Sequence, residues 1–113
     1  MRLILPCPEI MLIYHIVLPE VWANFKDKNF YEAESLHSEN FIHCSFAGQL
    51  EAVLERYYAG VEKVLILTIE AEKLKSKLVA EPSTGGEIYP HIYGAINLDA
   101  IVRIEERILN FQS

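Results

Sequence analysis

Cysteine is scarce in this chain: the two present, Cys7 and Cys44, form neither a CxxC pair nor a disulfide framework. A cross-linked secreted scaffold is thereby excluded, and a reducing, cytoplasmic setting is expected. Runs of basic residues are missing as well. The four arginines, Arg2, Arg56, Arg103 and Arg107, are scattered, and the formal net charge is −6. The long-range field therefore repels phosphate backbones and anionic lipid, so neither nucleic acid nor a membrane is expected as a partner. No uninterrupted apolar stretch is long enough to span a bilayer. The opening MRLILPCPEIMLIYHIVLP is apolar, but Pro6 and Pro8 interrupt it and no small-residue cleavage site follows, so it does not read as a signal peptide. Repeats and low-complexity tracts are absent too.

What remains is enough for one compact domain, since 113 residues with 51% hydrophobic content can bury a core without staples. Met11 offers an alternative start, in which case residues 1 to 10 are an extension outside the fold and residues 11 to 113 form the single domain.

The segment Leu12 to Leu18 reads as a first strand ended by Pro19, which suits the first turn of a short helix over 19 to 27. Residues 26 to 40 (KDKNFYEAESLHSEN) read as a loop or broken helix anchored by Phe30, Tyr31 and Leu36, and Phe41 to Cys44 as the next strand. Leu50, Val53, Leu54, Tyr57 and Tyr58 recur at helical spacing, with Ser45 placed to cap the start and Gly60 the end. Val64 to Ile69 is almost continuously apolar and rich in β-branched residues, as in a central strand buried on both faces, and Glu70 to Lys75 reads as one helical turn. EPSTGGE (81 to 87) is turn-rich, with two glycines free to take positive φ. YPHIYG is extended, and Pro90 restricts it to an edge or irregular position. Asp99 to Arg107 closes the fold. The fold class is α+β: a small domain with a split or curved, mostly antiparallel sheet and two to three short helices.

The stretch ENFIHCS (39 to 45) does not read as ordinary core. Strand alternation puts Phe41, His43 and Ser45 on one face and Ile42 and Cys44 on the other, where Cys44 is best read as a small buried hydrophobe. The same alternation gathers Tyr89, His91 and Tyr93 beside the glycine-rich turn, where Glu81 and Glu87 carry carboxylates suited to general-base work. Each histidine also has a plain reading as a core group bonded to backbone. A zinc site from His15, His43, Cys44 and His91 is disfavoured because His43 and Cys44 point apart and no paired ligand spacing is present, so no metal is expected.

IYHI, ENFIHCS and GEIYPHIYG together resemble a bacterial and plant family known as domain of unknown function 952, whose pattern carries a GFIHCS-like strand and FPHIYG. Asn40 stands for the usual glycine and Tyr89 for phenylalanine. That family is similar to the ADP-ribosyltransferase fold, on its RNA 2'-phosphotransferase-like branch. The resemblance implies binding of NAD or a related nucleotide and transfer or hydrolysis of ADP-ribose. His43 and Glu87 would be catalytic, and His15, Ser45, His91 and Tyr93 would bind the nucleotide. RNA is disfavoured because the arginines that hold a 2'-phosphate lack counterparts. The alternative is a non-catalytic module that docks a small molecule or a protein on the same polar face. The sharpest geometric expectation is that His15, His43 and His91 surround one open pocket rimmed by residues 82 to 87.

Overall fold

The structure is a computed structural model that describes residues 10–109. Cys7 and, but for Ile10, the expected extension 1 to 10 lie outside the described residues. Strand β1 (Leu12–Val17) places Ile13, His15 and Val17 on one face and Tyr14 and Ile16 on the other. It pairs antiparallel with β4 (Lys63–Glu70), which pairs in turn with β8 (Ile101–Ile108), giving a three-stranded sheet with β4 in the middle.

The β-branched run of β4 is there because both of its faces meet apolar layers. Leu67 and Ile69 pack with Ile13, Val17, Ile42 and Ile92. Val64 and Ile66 pack with Ile16 and with Leu50 and Leu54 of helix α3 (Leu50–Tyr57). Leu54 is fully buried, a contribution of about 2–3 kcal/mol. The amphipathic spacing read from sequence is thus the face that α3 lays on this sheet.

A second three-stranded sheet has the order β3 (Ile42–His43), β6 (Ile88–Tyr93), β5 (Lys77–Pro82). A two-stranded ladder joins β2 (Phe30–Tyr31) to β7 (Ile96–Asn97). Two further short helices, α1 (Pro19–Trp22) and α2 (Glu34–Glu39), complete the small α+β fold. The two larger sheets meet at one rung. Tyr14 N–H donates to the Ser45 carbonyl at 2.9 Å, and Ser45 N–H to that of Tyr14 at 2.8 Å. Among the described residues no helix is long and apolar enough to cross a membrane.

Three local expectations are corrected. Ser45 does not cap α3, because the N-cap position of that helix falls at Gln49 and that of the turn before it at Phe46, both beyond Ser45. The Gln49 side chain instead accepts from Phe46 N–H at 3.0 Å, and a single 3₁₀ turn (Ala47–Gln49) leads into the helix. Gly60 is no left-handed cap, since α3 ends at Tyr58, whose N–H reaches the Leu54 carbonyl. Pro90 lies in the middle strand of its sheet and not at an edge. Its carbonyl accepts from Cys44 N–H at 3.1 Å, so its absent N–H faces the same way, just where the two-residue ladder of β3 has ended.

Gly85 and Gly86 do take positive φ in the turn before β6. The stricter demand is at Gly94, where φ is 151° and an added Cβ would lie 2.8 Å from Ser76 Cβ. We expect Gly94→Ala to lower stability by about 2–4 kcal/mol in urea unfolding. A loss below about 0.5 kcal/mol would show that the loop relaxes freely.

Candidate functional site

His15 is buried in β1, and both of its ring nitrogens are engaged. Nδ1 lies 2.7 Å from the His43 carbonyl and Nε2 2.8 Å from the Tyr31 hydroxyl. A carbonyl can only accept, so the proton resides on Nδ1. Burial holds the pKa down to about 4, outweighing the carbonyl bond that raises it, so the ring is neutral near pH 7. Nε2 is then a lone pair, and the Tyr31 hydroxyl donates to it. Burial also pushes the Tyr31 phenol well above its ordinary value, which keeps that donor protonated.

His43 reaches the site by a different route. Helix α2 ends where Asn40 takes the left-handed conformation (φ 73°), and its N–H bonds the Leu36 carbonyl. Glycine and asparagine are the residues that tolerate this position, which accounts for Asn40 where the resembling pattern has glycine. The reversal carries Glu39 back over the next strand, where Glu39 Oε2 lies 3.0 Å from His43 Nε2. The His43 side chain is 46% exposed. Behind it, His91 is its cross-strand partner, with ring centroids 5.3 Å apart, and Phe41 stacks on His91 at 4.1 Å.

The YPHIY row divides by depth. His91 is 2% exposed, and its Nδ1 donates to Glu81 Oε2 at 2.7 Å. The Tyr93 hydroxyl donates to the same oxygen. These bonds, from Tyr93 first and His91 second, hold the Glu81 carboxyl below the usual range, and Glu81 in turn holds the Tyr93 phenol up. His91 Nε2 is buried and meets no partner among the described residues.

A pocket of about 620 Å³ opens where the sheets part. His15, His43 and Ser45 line it, as do Tyr31, Glu39 and Tyr58. Ser83 brings the 82 to 87 turn to it, and Tyr89 contributes from β6. His91, Tyr93, Glu81 and Glu87 do not line it. Glu87 instead accepts from Gln49 Nε2 at 2.8 Å. The structure therefore brings His15, His43 and Ser45 to one pocket and leaves His91, Tyr93 and Glu87 outside its lining, although the His91 ring lies against that of His43. The expected convergence of three imidazoles on one pocket holds for two. Cys44 packs with Ile42 in the core, and burial pushes its thiol up, as suits an inert residue. No three His, Cys, Asp or Glu side chains among the described residues form a set able to hold a metal ion.

Sequence reasoning took Tyr31 only as an apolar anchor, without its bond to His15, and missed Glu39. Glu39 heads the ENFIHCS stretch, and the signal was the αL-tolerant Asn40 after it, which lets residues i and i+4 meet across a turn. The bond from Tyr31 to His15 left no local trace, because it depends on the β2–β7 ladder.

The buried neutral imidazole sets a pH dependence. The folded pKa of His15 lies below the unfolded 6.5, so between about pH 6.5 and 4 the unfolded chain binds a proton that the folded one does not, and stability falls with pH. We expect a loss of about 3 kcal/mol from this group by pH 4. In urea unfolding at pH 7 and pH 4, His15→Gln should be less stable at neutral pH and should lose less on acidification. An equal loss in both proteins would show that His15 protonates freely in the fold.

Residues 16–104 match the model of the family described as Protein of unknown function (DUF952). The crystal structure of protein CC0527 from Caulobacter crescentus is similar at a TM-score of 0.76 and 28% identity, over 90% of this chain and 89% of that one. The solution NMR structure of CC0527 gives 0.73 and 28%, over 90% and 87%. No curated protein matches the chain. A family match over most of the chain, with the His43 strand and the β6 histidine inside it, assigns this chain to the DUF952 family.

Proposed function

We propose that this protein has an ADP-ribosyltransferase-like scaffold and binds NAD or a related nucleotide in the pocket between its two main sheets, where it transfers or hydrolyses ADP-ribose. The observation that supports this reading is that His15, His43 and Ser45, from separate points of the chain, line one pocket. A split sheet bearing a histidine in each half agrees with the resemblance noted in the sequence.

The chemistry follows from the His43–Glu39 pair. The carboxylate accepts from Nε2–H, which leaves Nδ1 as the lone pair of the neutral ring. When the bond between nicotinamide and ribose breaks, nicotinamide departs with the electron pair and an oxocarbenium-like ribose remains. Water or an acceptor hydroxyl adds to that carbon, and its proton passes to His43 Nδ1. Glu39 steadies the imidazolium that forms, as a carboxylate does behind a general-base histidine. The carboxylate beside His43 is thus that of Glu39, while Glu87 accepts from Gln49. Ser45 has no side-chain hydrogen bond among the described residues, and its hydroxyl is free to meet a ribose oxygen. One observation favours the non-catalytic alternative: His15 has both nitrogens committed to the protein and none to spare for a ligand.

Calorimetric titration with NAD and with ADP-ribose, together with chromatographic measurement of nicotinamide release, tests the proposal. The expected outcome is binding by the wild type and affinity about tenfold weaker in His43→Ala, with release abolished. Binding without release in the wild type would leave the module reading standing. The absence of heat from either ligand at millimolar concentration would sink the nucleotide reading itself.

A further inference from the structure

The fixed charges on the walls of the pocket are carboxylates. Glu34 and Glu39 line it and no lysine or arginine does, while His43, which also lines it, already faces Glu39 with its Nε2. His15 adds no positive charge near neutral pH, because burial keeps it unprotonated. Tyrosine side chains line it as well, exposed at Tyr57, half-buried at Tyr14 and Tyr58, and buried at Tyr31 and Tyr89. Tyrosine faces attract organic cations, and half-exposed carboxylates add to that attraction. A phosphate group meets the reverse, since an anion drawn into this space would lose water and face two carboxylates, with His43 already turned to one of them.

Resting on the nucleotide reading above, we infer that the pocket admits the positively charged base of an N-ribosylated pyridinium and leaves the phosphates outside. The substrate class narrows accordingly to pyridinium nucleosides and mononucleotides, with the second nucleotide of a dinucleotide contributing little. Arg56 agrees with this polarity. It is exposed, its guanidinium sits 5.9 Å from the centre of the Tyr57 ring, and it lies in the field of Tyr89 and Glu87. An exposed cation therefore stands beside two residues that line the pocket without lining it itself, where a phosphate carried outside the pocket would meet it.

Oxidised and reduced nicotinamide mononucleotide isolate the effect, because they share ribose and phosphate and differ chiefly in the charge of the base. Titration of each into the full chain at one pH near neutrality should show the oxidised form binding roughly tenfold more tightly. The gap should narrow in Glu39→Gln and in Glu34→Gln, each first checked for a native circular dichroism spectrum. Should Glu39→Gln fail to fold, Glu34→Gln and the wild-type comparison still decide. NAD itself should bind no more tightly than the oxidised mononucleotide by more than about threefold. If both forms bind equally, or the reduced form binds better, the charge inference is overturned while nucleotide binding stands. If NAD and both mononucleotides fail to bind, the nucleotide reading falls and this inference falls with it.

Discussion

The two hydrogen bonds of His15 are the constraint on which the pocket depends. Among the described residues the main sheets share only the rung between Tyr14 and Ser45, and beyond it the strands part. His43, two residues before Ser45, turns its carbonyl to the same side of its strand and finds no backbone donor there. The imidazole of His15 supplies one. Leaving that carbonyl unpaired would cost about 1–3 kcal/mol, so the side chain does the work of a ladder bond across a gap that the backbone no longer closes. Tyr31 satisfies the other nitrogen and thereby ties the short β2–β7 ladder to the same point. The sheets are held together and held apart by one ring.

The histidines divide by depth and partner. His15 is buried, neutral and bonded on both nitrogens. His91 is buried against the Glu81 carboxylate and covered by Phe41. His43 stands between them with its backbone held by the first and its ring against the second, and it alone of the three presents its side chain to solvent. Orientation is thus imposed on the exposed group by two groups that are not exposed, the arrangement a reactive side chain requires.

Much of this was legible where a residue's environment follows from near neighbours. The β-branched run of β4 fixed its burial, the spacing from Leu50 to Tyr58 fixed α3, and alternation correctly sent Ile42 and Cys44 inward. What depended on distant pairing was not legible. Pro90 argued for an edge because a missing N–H is costly within a sheet. Only the shortness of β3 on that side makes the central position acceptable. The helix α2 has no buried residue and so left no apolar stripe to read, which hid Glu39. Tyr89, His91 and Tyr93 do alternate as expected, yet which of them reaches the pocket depends on how far the sheets have diverged, a quantity with no local signature.

The left-handed turn at Asn40 has a consequence in the genetic code. Its φ admits glycine and asparagine readily and aspartate somewhat less so. Asparagine and glycine codons differ by a pair of base changes, and the single-step intermediates are serine and aspartate. Of these, aspartate is the better suited to the backbone, and it would set a second carboxylate beside Glu39. A lineage exchanging one of these residues for the other is therefore led through a chain whose pocket mouth carries more negative charge than either end point, and the conformational demand of a single residue becomes an electrostatic trial for the site next to it.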